Sequence, residues 1–518
     1  MRENERDDSE NNQIAPGGQH SLWIDTTPTT DLPSLRGSIR ADVAVIGGGI
    51  AGITAAALLK EAGKTVAVIE ADRVIKGVTG YTTAKVTSLH GLIYHELIDR
   101  FGEKDASIYA DANQSAIEQI ASLVKQKDIP CDFVRTPMYV YTESKKNLSA
   151  IQKEVRAAQK LGLPASYTEA IPLPFDIAGA IRLEGQAQFH PREYLLALAK
   201  EIPDGDSHIF EKTRALGIEE DGPCIVVTDR GEVEAKNVII ATHFPFHDTG
   251  LFFARLHPYH SYALGVRIRG EVPEGMYYTK DGKRFAIRNQ PTEDGPMLII
   301  SGRRHKVGQG GDTLAEYKSL ERHTRERFDV KSIDYYWSTE DYHTPDNVPY
   351  IGRSPTSKRV YLATGFGGWG MTSGTVSGMI LPDLILGREN PWSPFFDPSR
   401  LHLLASSKRL IAENTGVVKE FTKGLLLRPQ PQDPADLQRG EGRKMVVKHR
   451  EVAAHKDEEG NVYILSPVCN HMGCVVNWNN AERTWDCPCH GSRYNYDGTV
   501  FHGPAQADLR EMEFDEEG

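Results

Sequence analysis

The densest chemistry in the sequence lies near its C-terminal end. Cys469-Asn470-His471-Met472-Gly473-Cys474 is followed by Cys487-Pro488-Cys489-His490-Gly491-Ser492. Of six cysteines, four fall within the 21 positions from Cys469 to Cys489, while Cys131 and Cys224 stand alone. Thiolate and imidazole are the donors that hold zinc or iron–sulfur clusters. Clustered cysteines in a chain without a secretory leader bind metal more often than they build a disulfide scaffold. Cys-x-His followed by Cys-x-x-His has a donor set that suits zinc.

A second set of residues points to a nucleotide. Gly47-Gly48-Gly49-Ile50-Ala51-Gly52 follows an apolar run and opens a helical pattern. Gly47 permits the tight turn, Gly49 lets the backbone approach a pyrophosphate, and Gly52 lets helix and strand pack closely. The free N–H groups of the helix start face the phosphates. Glu70, ending the next apolar run, is placed to accept from ribose hydroxyls, which favours FAD or NAD over NADP. Gly365-Phe366-Gly367-Gly368-Trp369-Gly370 also fits G-x-G-x-x-G. No acidic strand end follows it, so a second, nicotinamide site is the weaker reading.

These groups need a frame. Asp42 to Ile46 reads as a strand, Ile53, Ala56, Ala57 and Leu59 as apolar positions of a helix ending at Gly63, and Thr65 to Ile69 as a second strand, a βαβ opening. Helices are predicted over 106–126 and 371–386, and strands over 237–241 and 360–363. A connecting helix over 406–424 leads to Pro429, Pro431 and Pro434, a stiff linker. Beyond it the pattern changes to short β segments at 444–448, 462–465 and 475–478, so a boundary is expected near 428.

Composition bounds the answer. A chain of 518 residues holds about three or four structural units. With 39% hydrophobic and 25% charged residues it is ordinary for a globular protein. Sixty Lys and Arg against 71 Asp and Glu give −11, which argues against a general nucleic-acid binder. No apolar run reaches the roughly 18–20 residues of a membrane span. The nearest, 378–387, is broken by Pro382 and Asp383. The polar N-terminal stretch has neither a secretory pattern nor a twin-arginine pair, so the cytoplasm is expected.

After Glu70 comes Gly77-Val78-Thr79-Gly80-Tyr81-Thr82-Thr83-Ala84-Lys85. With Phe189-His190-Pro191-Arg192, Ile239-Ile240-Ala241-Thr242 and Asp346-Asn347-Val348-Pro349-Tyr350-Ile351-Gly352, this stretch resembles the D-amino-acid-oxidase/glycine-oxidase-like (DAO) flavoproteins, over roughly residues 20 to 400. The resemblance implies FAD, with Thr82, Thr83 and Lys85 in the loop that wraps it. Gly365, Gly367, Gly368 and Met371 would then open a helix aimed at the flavin pyrimidine end, stabilising negative charge there.

The two Cys/His boxes resemble those of Rieske [2Fe–2S] proteins. That implies one iron on Cys469 and Cys487 and the other on His471 and His490. It further implies a Cys474–Cys489 disulfide, hydrogen bonds from Ser492 and Tyr494 to the sulfurs, and a shielding loop at Gly503-Pro504-Ala505. The extra cysteines with Ser492 and Tyr494 point to the high-potential branch rather than the oxygenases.

The expected fold class is α/β (α+β): an FAD/NAD(P)-binding Rossmann-like domain with an inserted β-rich substrate domain, then a small all-β Rieske domain. Residues 1–36 are expected to be a mostly disordered tail. The oxidoreductase domain spans 37–405, with FAD-binding parts at about 37–95, 180–250 and 345–400 and the substrate part mostly at 255–340. A linker at 406–427 precedes the Rieske domain, 428–518. The expected function is oxidation of an amine or amino acid, with electrons passing singly from flavin to cluster and on to a partner. Two alternatives stand beside it, reversed flow into a flavin reductase or monooxygenase, and a non-catalytic redox sensor. The expected partners are a small-molecule substrate and an electron-transfer partner, with no nucleic acid and no transmembrane segment; a peripheral membrane or quinone contact stays open.

Arg303, Arg288 and Tyr259 are the candidate substrate contacts, Arg303 within the cationic stretch Arg303-Arg304-His305. His243, His247 and Asp248 resemble part of a two-His-one-carboxylate iron site, with a loop near FAD as the plainer reading. His90 is expected beside the flavin, with a covalent link as an alternative, and Cys131 and Cys224 are expected to be buried thiols.

Overall fold

Val43, Ala44, Val45 and Ile46 are all buried, and so are Val66, Ala67, Val68 and Ile69. Uninterrupted apolar runs of this kind suit parallel strands covered on both faces. In the computed structural model, which describes residues 19–282, 284–400, 403–426 and 429–514, strand Gly37–Ile46 pairs in parallel with Val66–Ile69 and with Gly231–Ile240. The last of these pairs in parallel with Val360–Thr364. His208–Phe210 extends the sheet beyond Val66–Ile69.

Two helices lie across this sheet, Ile50–Glu61 and Gly370–Ile385. They touch where side chains are smallest. A Cβ on Gly374 would come within 2.7 Å of Ile50, and one on Gly378 within 2.5 Å of Thr54. The close crossing brings both helix N-termini to the carboxyl ends of the parallel strands, where ligands of open α/β sheets bind.

A second eight-stranded sheet runs in the order Val330–His343, His257–Ile268, Met297–Lys306, Phe285–Gln290, Met276–Thr279, Met138–Thr142, Gly179–Leu183, Ala165–Thr168. The expected substrate part, placed mostly at 255–340, supplies five of these strands. Its edge is completed by three strands from 138–183, which pair with Met276–Thr279 through Met138–Thr142.

The C-terminal unit holds two small antiparallel sheets, Gly442–Val447 with Arg450–Lys456 and Val462–Leu465, and Asn477–Asn479 through Val500–His502. Helix Leu403–Leu426 joins it to the rest. It is more than a tether. Glu413 pairs with Lys306 at 2.6 Å and accepts from the Tyr259 hydroxyl at 3.1 Å, while Val417 packs on the C-terminal core. The expected boundary at 428 lies outside the described residues.

The tail before residue 19 also lies outside them, but residues 19–36 depart from the expected disorder. Leu22–Asp25 is a helical turn whose Trp23 is fully buried. Trp23 Nε1 donates to Thr82 O at 2.6 Å, and its ring meets His190 edge-on. Among the described residues, no helix is long and apolar enough to cross a membrane.

Candidate functional site

The glycine fingerprint builds a turn that no side chain would fit. Gly47 has φ +106, and a Cβ there would collide with Ala241 O; one on Gly52 would collide with Gly47 O. Glu70 accepts from Gly48 N–H at 2.8 Å and from Asp72 N–H at 3.0 Å, and burial raises its pKa. A cavity of about 430 Å³ starts here. Gly47, Gly49, Glu70, Thr82, Thr83, Lys85, Gly367, Gly368 and Met371 all line it.

Two expected residues stand behind the wall. Gly52 packs under Gly47, and Gly365 packs against Thr344. Because Gly367 and Gly368 share one cavity with Gly47 and Gly49, the second glycine motif completes the first site and builds no second nucleotide site there. The double helix start and the glycine cradle fit a dinucleotide. Thr79, Phe366 and Trp369 line the cavity too, and the spacing of the motifs alone did not single them out.

The Thr-rich loop is held by three long donors. Trp337 Nε1 reaches Tyr81 O at 2.8 Å, Trp23 Nε1 reaches Thr82 O, and Arg288 reaches Ala84 O at 2.8 Å. Arg288 also donates to Phe189 O at 3.0 Å and is fully buried. Its guanidinium is spent on backbone carbonyls and on Gln290 Oε1 and lies outside the cavity lining, which corrects the expected substrate contact. Lys85 lies close by, and burial, with Arg288 second, pushes its pKa down to about 7.

Arg303 is corrected as well. It pairs with Glu316 at 2.8 Å and does not line the cavity. Its neighbour Arg304 does, lying over the Tyr259 ring at 4.0 Å from the centroid. Burial lowers Arg304 to about 10, so it stays a cation at neutral pH. Tyr259, Tyr278, Asp341 and His343 line the same end. Asp341 is pushed up to about 6 by burial, against the pull of Arg304 and the Gly368 N–H.

His90 lies outside the cavity lining, stacked on Trp369 at 4.8 Å. Its Nδ1 meets Tyr109 Oη at 2.5 Å and its Nε2 meets Thr87 O at 2.7 Å, so both ring nitrogens are taken. The expected iron trio does not converge either. Asp248 caps the amides of Phe252 and Phe253, and His243 Nδ1 meets His502 Nε2 at 3.0 Å. Cys131 and Cys224 are buried thiols.

The two Cys/His boxes meet at the tip of the C-terminal unit. The His471 and His490 rings stand 4.9 Å apart and perpendicular. Their Nδ1 atoms are buried without a hydrogen-bond partner among the described residues. Burial lowers both pKa values, His490 to about 3, so both rings are neutral, as ligands require. Cys474 and Cys489 are joined, which leaves Cys469 and Cys487 free to ligate. Tyr494 Oη donates to Cys469 Sγ at 3.2 Å, and Ser492 Oγ accepts from Ala505 N–H at 3.0 Å. Cys469 is drawn down to about 6, first by the facing Cys487 thiol and then, against burial, by Tyr494. Two sulfurs and two orphaned neutral imidazoles are the donor set of a Rieske cluster.

This tip is turned toward the oxidoreductase part. Phe253 meets the His490 ring edge-on at 5.8 Å, and Tyr342 Oη donates to His490 O at 3.1 Å. Phe244, which lines the cavity, lies 6.1 Å from the His471 ring.

Two family models match the chain. One, for FAD dependent oxidoreductases, covers residues 42–384; the other, for the Rieske [2Fe-2S] domain, covers 432–513. A Bacillus subtilis (strain 168) protein named putative Rieske 2Fe-2S iron-sulfur protein YhfW is 38% identical over 508 residues, 98% of this chain and 100% of its own. Gamma-glutamylputrescine oxidoreductase of Escherichia coli (strain K12) is 23% identical over 70% of this chain and 87% of its own. Glycine oxidase from Geobacillus kaustophilus shares the fold, with a TM-score of 0.58 at 18% identity over 70% of this chain and 99% of that one.

Proposed function

The chain belongs to the family of FAD-dependent oxidoreductases and carries a Rieske [2Fe–2S] domain at its C-terminal end, and from that premise we propose that it oxidises an amine or amino acid and conducts the electrons singly through its cluster to an acceptor outside the chain. Oxidation of an amine to an imine removes two electrons and two protons, so each substrate discharges into two equivalents of a one-electron acceptor. FAD supplies two-electron acceptance, and the cluster supplies one-electron carriage.

One observation carries the reading. Phe244 lines the cavity proposed for FAD, and its ring centroid stands 6.1 Å from that of His471, a residue read as a cluster ligand. A single residue thus borders both sites. Phe253 and Tyr342 cover the other ligand, His490, which is only 5% exposed. A cluster ligand turned inward in this way supports exchange with the chain's own cavity.

The cavity supports the substrate class. Arg304 offers a guanidinium to a carboxylate and is steadied by the Tyr259 ring. Asp341, ionised above about 6, offers the counter-charge for an ammonium. The names of two relatives, gamma-glutamylputrescine oxidoreductase and glycine oxidase, agree with an amine or amino acid.

The test is anaerobic. A panel of amines and amino acids is mixed with the protein, and flavin bleaching and the EPR signal of the reduced cluster are read together. In His490→Ala, the effective panel member still bleaches the flavin, but reduction of a one-electron dye stops. Equal loss of both steps in a folded, FAD-loaded variant overturns the reading.

A further inference from the structure

Helix Leu403–Leu426 has two unlike faces. The inner face is engaged by both domains. Glu413 pairs with Lys306, and Asn414 Nδ2 donates to Ala254 O at 3.0 Å. Val417 packs on the C-terminal core, and Gly424 rests against Val475. These positions recur every three or four residues, so the opposite side of the helix points away from both domains.

That outer side is apolar. Ile411 is 65%, Val418 63% and Leu426 75% exposed, with Phe421 at the edge of the stripe. From Ile411 to Leu426 the stripe is about 22 Å long. Twelve large apolar residues are exposed among the described residues, and four of them stand on this one helix. Exposed apolar residues scattered singly need no explanation, but a stripe of them marks an interaction surface.

The charge beside the stripe has one sign. Lys419 and Lys423 are exposed there. The helix carries two acids, Glu413 and Glu420, and their side chains are only 12% and 16% exposed. The hairpin of Gly442–Val447 and Arg450–Lys456 adds further cations. Its Lys444 is within electrostatic reach of Lys423, and from there the hairpin runs to an exposed tip, Lys448-His449-Arg450. A chain of net charge −11 thus gathers cations around one apolar stripe. A second copy laid on the stripe would bring the same cations and no exposed acid of the helix to pair them. A lipid surface of negative charge satisfies both features, since the acyl boundary takes the stripe and the headgroups take the lysines.

We propose that this face binds an anionic membrane surface, with helix Leu403–Leu426 lying in the plane of the headgroups and Ile411 and Val418 inserted. The assignment rests on the helix and the hairpin alone, and it holds for any substrate and for either direction of electron flow.

The test is co-sedimentation of the full-length, FAD- and cluster-loaded protein with vesicles of phosphatidylcholine, alone or mixed with phosphatidylglycerol. The protein sediments with the mixed vesicles, and its partitioning falls as salt is raised. Each cation at the surface contributes about fivefold, so Lys419→Gln with Lys423→Gln lowers partitioning about 25-fold. Ile411→Ser with Val418→Ser lowers it at least about tenfold. Val134→Ser changes an exposed apolar residue elsewhere, and partitioning stays within about twofold of the parent. All five side chains are exposed, and unchanged flavin and cluster spectra show that each variant has folded. Absence of binding to the mixed vesicles overturns the proposal, and equal binding to both kinds of vesicle overturns its anionic part. Parent-like binding in either double variant puts the contact on another face and overturns it too. If vesicles bind no protein and light scattering shows a dimer that Ile411→Ser with Val418→Ser dissociates, the occupant is a second copy and the proposal falls.

Discussion

His260 Nε2 and Glu482 Oε1 meet at 2.8 Å across the junction of the two domains, with the imidazole 0% and the carboxylate 3% exposed. Glu482 also pairs with Arg493 and accepts from Gln19 Nε2 at 2.7 Å. Arg493 Nε reaches Asp486 at 3.0 Å. Burial alone would raise the Glu482 pKa, but Arg493 and His260 hold it well below its ordinary range. Gln19 comes from the N-terminal segment, His260 from the substrate sheet, and the rest from the Rieske domain. The domains are thus joined by charges that only their own assembly satisfies.

Glu482→Ala therefore weakens the whole chain, because it leaves Arg493 buried with less counter-charge and His260 Nε2 buried without its partner. Breaking a buried pair from one side costs about 3–5 kcal/mol, which lowers the unfolding transition on the order of 10 °C. Thermal unfolding followed by circular dichroism checks it, and a double variant with His260→Ala loses less than the two singles together. The pH dependence has a definite sign. The folded pKa of Glu482 lies below the unfolded value, so its contribution is full above about 4.5 and is lost as pH falls through the folded value.

Two adjacent arginines separate in kinetics. Arg304→Met removes the cation in the cavity and lowers kcat/KM for an amino acid about 100-fold. Arg303→Met removes a cation already paired with Glu316 at 2.8 Å, and kcat/KM changes by less than about twofold. With an amine lacking the carboxylate, the Arg304→Met penalty shrinks to within a few-fold. Initial rates on such a pair of substrates check this. A penalty that is the same for both substrates removes the carboxylate contact.

On the proposed reading, Asp341 sets a pH limit on the binding of a cationic amine. Its pKa is raised to about 6, chiefly by burial, so the carboxylate is charged above that value and neutral below it. KM for a cationic amine stays flat above about pH 7 and climbs about tenfold per unit below pH 6. Asp341→Asn carries no such charge, so its KM is high at every pH and the slope disappears. Steady-state rates from pH 5 to 8 on parent and variant distinguish this from titration of the substrate itself, which would act on both.

How much of this was legible in the sequence depended on range. Gly47 to Gly52 and Cys469 to His490 signal through local spacing, and their neighbours in sequence are their neighbours in space. Long-range pairings left no such mark. Met138–Thr142 joins the substrate sheet beside Met276–Thr279, a partnership with no local pattern. Trp23 sits in a polar, proline-flanked run without periodicity, yet it pins Thr82. Arg303 and Arg304 look equivalent as text. Successive strand residues face opposite sides, and the left-handed backbone of Arg303, φ +61, breaks the alternation that would tell which one faces the cavity. The His243–His502 contact joins residues 259 positions apart.

Tyr494 tests the cluster end. Its hydroxyl donates to Cys469 Sγ at 3.2 Å and accepts from Asn470 N–H at 3.2 Å, and its ring is fully buried against the disulfide-bearing core. A donor to a ligand sulfur withdraws negative charge and favours the reduced cluster. Tyr494→Phe keeps the ring and removes the donor. A hydrogen bond to a charged group worth about 1.5 kcal/mol corresponds to roughly 60 mV for a one-electron couple, so the midpoint potential falls by about that amount. EPR-monitored titration reads it directly. The flavin should still be bleached by substrate at the parent rate, because Tyr494 does not line the FAD cavity. A potential that does not move would mean that the hydroxyl is turned away from Cys469 once the irons are in place, and the charge on that sulfur would then be balanced by the backbone amides of its own loop.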